Sequence, residues 1–459
     1  MKIGLAQLNT HVGAIETNTD KVLVSARQAR DELGCDLIVY PELTLSGYPP
    51  EDLLLHKGMQ KRVIEALEVV RRDVMGITLC LGYPEYEDKN LFNSGIVLRD
   101  GQVLANHRKW ILPNYAVFDE KRYFEAGTDS TVVELSGIHF ALTICEDAWE
   151  PEPCHAAADA GAEILLVING SPYHMHKQSM RETMLGDRAR EIGLPLVYVN
   201  MVGGQDELVF DGGSVAIDAE GRTSMRAPAF EEGIYLVEVE RRSSDICLRE
   251  QELAPVLSTE EAVYKALVLG TRDYVNKNSF KNVVLGLSGG VDSALTLCVA
   301  VGALGADRVR TVMMPSRYTS KMSLEDSAKQ AAKMGVQHDV LSIEPIFESI
   351  RGVLTDVFKD LPENTTEENI QARCRGLLLM AISNKLNCML LTTGNKSEMA
   401  VGYATLYGDM AGGFAPLKDC SKSLVYALAK YCNSTEDVIP KRVISREPSA
   451  ELRMDQKDT

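Results

Sequence analysis

The sequence predicts an α/β protein of two domains, the second of which is a doubly wound parallel sheet. Its 459 residues exceed what one hydrophobic core usually supports. Residues 240–258 lose their periodicity and carry charge, which indicates a domain boundary. From Thr259 onward, helix and strand patterns alternate, as in sheets of parallel strands covered by helices on both faces. We expect domains at 1–245 and 259–459, joined by a linker at 246–258.

Composition excludes several classes of protein. The chain is 45% hydrophobic and 25% charged, as in ordinary globular proteins, and its net charge of -17 would repel nucleic acid and anionic membranes. Ten cysteines are scattered without a C-x-x-C pair or zinc-ligand spacing, which favours free thiols in a reducing compartment. The N-terminus lacks the features of a signal peptide, and no apolar run approaches the ~20 residues of a membrane span. We therefore expect a cytoplasmic protein.

The first half alternates short apolar runs with loops. A helix is expected over 18–33, opened by Thr17 or Asn18 and closed by Gly34. Two of the predicted strands form a hairpin across the turn pair Asp100-Gly101. The predicted strands are 2–8, 36–40, 77–82, 93–99, 102–107 and 139–145.

Three polar residues follow or end strands of this half, namely Glu42, Lys109 and Cys145. Singly they have ordinary explanations, as a solvated acid, a surface charge and a small buried hydrophobe. Together they suffice for amide hydrolysis by a thiol: Cys145 attacks, Glu42 carries the proton, and Lys109 offsets the oxyanion charge. Because Glu146 and Asp147 would raise the pKa of the thiol by repulsion, Lys109 is expected to maintain a useful thiolate fraction.

The segments around these residues read PELTLSGYPP, HRKWILPNYAVFDEKRYF and ICEDAWEP. They resemble the Glu, Lys and Cys blocks of the nitrilase superfamily, specifically the glutaminase domains of glutamine-dependent NAD synthetases. The resemblance implies a four-layer αββα sandwich whose catalytic residues are Glu42, Lys109 and Cys145, with Glu120 in support. It also implies a glutamine pocket lined by Tyr48, Tyr115, Glu146 and Ser171.

In the second half, a strand at 282–287 leads into Ser288-Gly289-Gly290 and a helix at 291–303. Such a turn suits a phosphate, since glycines admit an anion close to the backbone and the helix presents free N–H groups. A plain glycine turn with Asp292 as a capping acid is the alternative. The hexapeptide SGGVDS resembles the pyrophosphate-binding loop of the ATP pyrophosphatases, which adenylate a carbonyl oxygen. Further elements are predicted at 308–314 (strand), 323–334 (helix), 339–343 (strand), 368–385 (helix) and 388–391 (strand).

Residues 392–422 gather many groups capable of function among glycines and resemble the NAD synthetase signature. The resemblance implies Mg²⁺ at Asp292 and Glu398. It implies ATP binding by Ser288, Gly289, Gly290, Asp292, Ser293, Met314 and Thr393. It implies deamido-NAD binding by Asn369, Arg373, Asp409 and Lys422.

The helix at 368–385 combines basic side chains with an apolar stripe at 377–380. An exposed packing or dimer helix is the plain interpretation, and the resemblance implies both a homo-oligomer, at least a dimer through this domain, and arginines near the nucleotides. Residues 447–459 resemble the deamido-NAD loop of the family, whose members usually continue with further helices. We therefore expect the synthetase domain to be incomplete at its C-terminus.

The leading hypothesis is a ligase that uses glutamine, deamido-NAD, ATP and water to form NAD, glutamate, AMP and pyrophosphate. No nucleic acid or membrane partner is expected. An amidase merely regulated by its ATP-binding half is one alternative, and a nucleotide-sensing scaffold is another. The set Asp292, Glu398, Asp409 and Lys422 speaks against the first. The presence of both Cys145 and SGGVDS speaks against the second.

Overall fold

The computed structural model describes residues 1–242, 245–251, 253–408, 410–447 and 449–453. The chain divides into two compact units, one spanning Met1–Leu257 and the other beginning at Ser258. None of the helices in these ranges is long and apolar enough to cross a membrane.

The segment predicted as a linker, 246–258, begins inside a strand of the first unit. Further along, the segment lies beside another strand of that unit, where the Gln251 N–H donates to the Ser224 carbonyl at 2.9 Å. A strand of four residues is too short to show a clear alternation in the sequence, so this pairing is visible only in three dimensions.

The first unit contains fifteen named strands within its described residues. In chain order they are β1 (Lys2–Gln7), β2 (Leu37–Val39), β3 (Thr78–Glu87), β4 (Asn90–Arg99), β5 (Gln102–Arg108), β6 (Thr131–Leu135), β7 (Ile138–Ile144), β8 (Ile164–Asn169), β9 (Leu196–Asn200), β10 (Val202–Gln205), β11 (Leu208–Asp211), β12 (Val215–Ile217), β13 (Thr223–Arg226), β14 (Gly233–Arg242) and β15 (Asp245–Leu248). One sheet has the order β15-β14-β1-β2-β3-β4-β5, another has the order β13-β12-β9-β8-β7-β6, and β10 and β11 form a hairpin.

The two large sheets pack face to face, with helices on their outer sides. Side chains such as Leu5 and Val97 from one sheet and Leu142 and Ile168 from the other share a buried core. Helices α1 (Ile15–Asp31) and α2 (Lys57–Asp73) cover the first sheet, and α3 (Pro151–Asp159) and α4 (Lys177–Ile192) cover the second. The predicted four-layer αββα sandwich is confirmed.

Helix α1 starts earlier than predicted, at Ile15. Asn18 does not cap it. Its side chain is buried and bonds both to the backbone of His11 and to the Leu45 carbonyl. An asparagine near a helix start is expected to cap the helix, but here long-range contacts determine its position.

The second unit contains four parallel strands and eight α-helices within its described residues. The strands are β16 (Val283–Gly286), β17 (Val309–Met313), β18 (Gln337–Val340) and β19 (Met389–Leu391). The helices are α5 (Thr259–Lys277), α6 (Val291–Leu304), α7 (Lys321–Lys333), α8 (Glu344–Leu354), α9 (Thr365–Leu386), α10 (Lys396–Val401), α11 (Lys422–Thr435) and α12 (Lys441–Ser445).

The strand order of this unit is β18-β17-β16-β19, with helices against both faces. The doubly wound sheet is therefore confirmed. The order reverses between β16 and β19, so their carboxyl ends border the crevice where such sheets bind ligands. Several boundaries differ slightly from the prediction, most clearly at β18, which lies earlier in the chain than 339–343, and at α9, which begins at Thr365. The earlier start of α9 follows from a capping box in which Asn364 and Glu367 bond to each other's backbone N–H groups.

Candidate active sites

Three side chains that follow different strands meet in the buried interior of the first unit. Glu42 lies shortly after β2, Lys109 directly after β5, and Cys145 directly after β7. Each is at most 3% exposed. Lys109 Nζ lies 2.7 Å from Glu42 Oε1, and the charges of both residues act on the Cys145 thiol. The structure thus brings the three predicted catalytic residues together.

The Glu42 carboxylate has two further donors that the sequence analysis missed. The Asn93 side-chain amide donates to Oε1 at 2.7 Å, and the Gly170 N–H donates to Oε2 at 2.8 Å. A Cβ at Gly170 would lie 2.9 Å from the Tyr48 ring, so this position requires glycine. Asn93 lies inside β4, and an asparagine in a strand interior was the one available signal. Together these donors hold the carboxylate in one orientation.

Glu120 supports the cluster from a short 3₁₀ turn, Glu120–Arg122. Its Oε1 accepts from Lys109 Nζ at 2.9 Å and from the Tyr48 hydroxyl at 2.9 Å. Burial raises the pKa of Glu120 to about 7, with repulsion from Glu42 opposing the attraction of Lys109. Tyr48, predicted to contact glutamine, is buried and uses its hydroxyl to hold Glu120.

The charge balance of this cluster determines the state of the nucleophile. Burial alone would lower the pKa of Lys109, but the charges of Glu120 and Glu42 raise it well above its usual value. Burial and then Glu42 raise the pKa of the Cys145 thiol, and Lys109 does not compensate. The expectation that Lys109 maintains a thiolate is therefore wrong, because Lys109 is already paired with two carboxylates. The resting nucleophile is a thiol that needs a base.

Asp147, which was expected to repel the thiol, is bound by backbone N–H groups. Its carboxylate is fully buried and accepts the N–H groups of Ile144, Trp110 and Ile111 at 3.0, 3.0 and 2.8 Å. The reason is local, since Cys145–Ala148 form a 3₁₀ turn and the Asp147 side chain folds back onto the first N–H of that turn. These backbone dipoles stabilise its negative charge.

The groups beside Cys145 include an acid and a cation. The Tyr115 hydroxyl donates to Glu146 Oε1 at 2.9 Å, and burial raises the pKa of Glu146. Lys177, which the sequence analysis missed, places Nζ 4.5 Å from the centre of the Trp149 ring. Burial and the charge of Arg181 lower the pKa of Lys177, against the attraction of Asp211 and Glu146. Its position at the start of α4 carried no motif that could have singled it out.

Ser171, also predicted for the glutamine pocket, is buried just after β8. Its N–H donates to Asn200 Oδ1 at 2.9 Å. The Asn200 side-chain amide donates back to the Ser171 carbonyl at 3.2 Å. This pair of hydrogen bonds fixes the chain that also presents Gly170 to Glu42.

In the second unit, Ser288, Gly289 and Gly290 follow β16, and α6 begins at Val291. The loop is closed by Ser293, whose Oγ accepts the Ser288 N–H at 3.2 Å. Gly289 has φ +82°, and a Cβ there would lie 2.6 Å from the backbone of Ser323. The loop therefore has the glycine-dependent form expected of a phosphate-binding turn at a helix N-terminus.

Asp292, in the first turn of α6, lies in an acid–lysine cluster. Its Oδ1 accepts from the Asn395 side chain at 2.8 Å, and its Oδ2 accepts from Lys422 Nζ at 2.5 Å. The same Nζ lies 3.6 Å from Glu398. Burial and the charge of Asp292 raise the pKa of Glu398. Burial by itself would lower the pKa of Lys422, but the charge and hydrogen bond of Asp292 together with the charge of Glu398 raise it. Asn395 was missed by the sequence analysis.

The other predicted nucleotide-binding residues lie around this crevice or on α9. Thr393 is half-buried after β19, and Met314 is buried after β17, where its carbonyl accepts from Arg375 at 3.1 Å. Asn369 and Arg373 bond to Thr405 and to the Leu406 carbonyl. Asp409 lies outside the described residues.

Comparisons with known proteins agree with this architecture. A family model described as carbon-nitrogen hydrolase matches residues 2–245, and one described as NAD synthase matches 263–459. The glutamine-dependent NAD(+) synthetases of Acinetobacter baylyi and Thermotoga maritima are 46% and 41% identical over 100% of this chain, and over 84% and 85% of their own lengths. A solved glutamine-dependent NAD+ synthetase from Acinetobacter baumannii, in complex with adenosine diphosphate, has a TM-score of 0.94 at 46% identity, over 98% of this chain and 86% of that one.

The fold and the two clusters therefore define an enzyme with a carbon–nitrogen hydrolase half and an NAD synthase half. Its thiol cluster lies in the first half and its phosphate loop in the second. The chain belongs to the glutamine-dependent NAD(+) synthetases.

Proposed function

We propose that the two clusters divide the family reaction between them. The Cys145 cluster releases ammonia from glutamine, and the Asp292 cluster uses ATP to adenylate deamido-NAD before ammonia displaces AMP. One observation carries this proposal: an intact Glu–Lys–Cys cluster in one unit is paired with a phosphate loop beside acids and a lysine in the other.

The resting thiol requires a base, and Glu42 is the acceptor in place. As Cys145 Sγ attacks the amide carbon, the thiol proton passes to Glu42, and the Lys109 ammonium stabilises the charge that develops on the oxygen. Glu42 then returns the proton to the leaving nitrogen, ammonia departs, and a thioester remains. Glu42 next activates a water molecule, which releases glutamate and restores the thiol. Glu120 keeps Lys109 in place throughout.

Glutamine is a zwitterion, and the groups next to Cys145 match both of its charges. We assign the α-ammonium of glutamine to Glu146, oriented by Tyr115, and its α-carboxylate to Lys177. The ring of Trp149 beneath Lys177 stabilises the side-chain ammonium of Lys177 and limits its mobility. We also place Ser171 in this pocket, whereas Tyr48 acts through Glu120.

The Asp292 cluster fits magnesium. Carboxylate oxygens are the ligands that Mg²⁺ prefers, and Glu398 and Asp292 already share the Lys422 cation between them. Mg²⁺ bound by Asp292 and Glu398 would neutralise phosphate charge during adenylation. The chain's own contribution is the glycine turn with the first N–H groups of α6, and the Lys422 ammonium, which would hold the triphosphate and the departing pyrophosphate.

The remaining substrate, assembly and location assignments are also proposals. Met314 and Thr393 would hold ATP, and Asn369, Arg373, Asp409 and Lys422 would hold deamido-NAD. A dimer through α9 is supported by side chains such as Leu377, which is 62% exposed on that helix. A cytoplasmic location is supported by the free cysteines and by substrates that are made inside cells.

The decisive experiment replaces Cys145 with alanine and compares two nitrogen sources. NAD formation from glutamine should vanish, while NAD formation from an ammonium salt persists, best at alkaline pH where free ammonia is more abundant. Cys154→Ala, which removes a buried thiol from α3 of the same unit, is the matched control and should retain both activities. Retained glutamine use would show that Cys145 is a core thiol. Equal loss of both activities in folded protein would show that it is not a separate amide-hydrolysing residue.

A further inference from the structure

Asp147 is a fully buried carboxylate two residues after the nucleophile, and it takes no part in the proposed reaction steps. Its two oxygens face different parts of the chain. Oδ1 accepts the N–H groups of Trp110 and Ile111, the two residues after Lys109. Oδ2 accepts the N–H of Ile144, the residue before Cys145. One carboxylate therefore connects the backbone next to Lys109, the cation that stabilises the oxyanion, to the backbone next to Cys145, the nucleophile.

This connection matters because the ordinary β-ladders do not provide it. Lys109 follows β5, an edge strand of the seven-stranded sheet, and Cys145 follows β7 in the six-stranded sheet. Ladder hydrogen bonds fix positions within a sheet, whereas two sheets that pack face to face are held by side chains. The spacing between Lys109 and Cys145 thus depends on contacts that cross from one sheet to the other.

One joined segment lacks regular backbone structure, and the other leads directly into a residue with a strained backbone. Residues 111–114 have neither helical nor strand structure, so the N–H of Ile111 has no ladder partner there. Cys145 has φ +50°, a left-handed conformation that a non-glycine residue adopts only when its surroundings hold it. The buried ring nitrogen His107 Nε2 lies 3.6 Å from Oδ2, and the Cys154 thiol contacts the Asp147 backbone carbonyl.

We propose that Asp147 is a positioning residue that sets Lys109 against Cys145 for stabilisation of the oxyanion. The proposal rests on the proposed function, in which Lys109 meets the developing charge. A displacement of about 1 Å between catalytic groups can cost about 100-fold in rate. Loss of Asp147 should therefore lower turnover of glutamine without removing the groups that bind it.

The test compares Asp147→Asn with Asp159→Asn, the same change at an exposed position at the end of α3. For Asp147→Asn, kcat for glutamine hydrolysis should fall about 100-fold while KM stays within about 3-fold. NAD synthesis from an ammonium salt should be unchanged, which reports an intact second unit. Asp159→Asn should match the wild type in all three measurements.

Alkylation of Cys145 by chloroacetamide distinguishes a role of Asp147 in positioning Lys109 from a general role in supporting the turn at Cys145. In that reaction the sulfur forms a bond to the methylene carbon, chloride leaves, and the thiol proton passes to the base, so no oxyanion develops. The alkylation rate of Asp147→Asn should stay within about 3-fold of the wild type. An equal fall in alkylation and hydrolysis, or undiminished hydrolysis, would overturn the proposal.

A folding failure can be told apart from a positioning defect. If Asp147→Asn does not show cooperative unfolding of the first unit, Asp147→Ser, which keeps one oxygen acceptor in a smaller side chain, takes its place in the same comparison. Failure of the proposed function itself would appear elsewhere, as glutamine use that persists in Cys145→Ala.

Discussion

Replacing Lys109 by methionine should destabilise the first unit far more than the loss of an ordinary lysine. The ammonium lies 2.7 Å from Glu42 and 2.9 Å from Glu120, and all three side chains are buried. Methionine keeps the length and apolar stem of lysine but leaves two carboxylates facing each other without a cation.

The expected magnitude follows from what each carboxylate retains. Glu42 keeps the Asn93 amide and the Gly170 N–H, and Glu120 keeps the Tyr48 hydroxyl. Breaking a buried ion pair from one side typically costs about 3–5 kcal/mol. We expect Lys109→Met to lower the free energy of unfolding by about that amount, a large share of the ~5–15 kcal/mol that stabilises a domain.

The assay is urea unfolding followed by tryptophan fluorescence. Both tryptophans of the chain, Trp110 and Trp149, lie in the first unit, so the signal reports that unit. Lys61→Met is the control, since Lys61 is 75% exposed and 3.7 Å from Glu65, and such exposed pairs contribute little. It should leave the unfolding free energy unchanged within error.

A double variant tests the electrostatic reason directly. Lys109→Met combined with Glu120→Gln removes the carboxyl group that would otherwise be left beside Glu42, so it should be less destabilised than Lys109→Met alone. A loss below about 1 kcal/mol for Lys109→Met would refute the reasoning. Simple additivity in the double variant would refute it too, because the carboxylates would then not depend on the shared cation.

Three further predictions concern pH, the synthetase site and assembly. Burial raises the pKa of Glu120 from 4.5 to about 7. The contribution of Glu120 to stability is therefore fully present below pH 4.5 and is lost as the pH rises through 7. Glu120→Gln should flatten this pH dependence when urea unfolding is compared at pH 5 and pH 8. Asp292→Asn should lower ammonia-driven NAD synthesis by about 100-fold or more while sparing glutamine hydrolysis and tryptophan-detected unfolding, and near-normal synthesis would exclude its metal role. Leu377→Glu on α9 should convert a dimer into a monomer in sedimentation, a prediction that a monomeric wild type would contradict.

Local patterns in the sequence determined the positions of the reacting groups. Glu42 and Cys145 stand at or just beyond the ends of apolar runs, where strands deliver side chains to one edge. The SGGVDS hexapeptide specifies its own conformation, because Gly289 needs a positive φ and Val291 starts a helix. These features arise from neighbours in the chain, so they can be read without the fold.

The tertiary structure alone decided which groups surround those residues and in what charge state. Asn93 and Gly170 reach Glu42 from 51 and 128 residues away, and Asn395 reaches Asp292 from 103. In the sequence Asp147 is simply a second acid next to Cys145, and only the fold provides the three backbone N–H groups that bind it. The pKa of Cys145 depends mainly on burial, and burial is set by the packing of two sheets whose order the sequence does not state. Contacts between distant segments leave no periodic trace in a single sequence, so they appear only when the chain is folded.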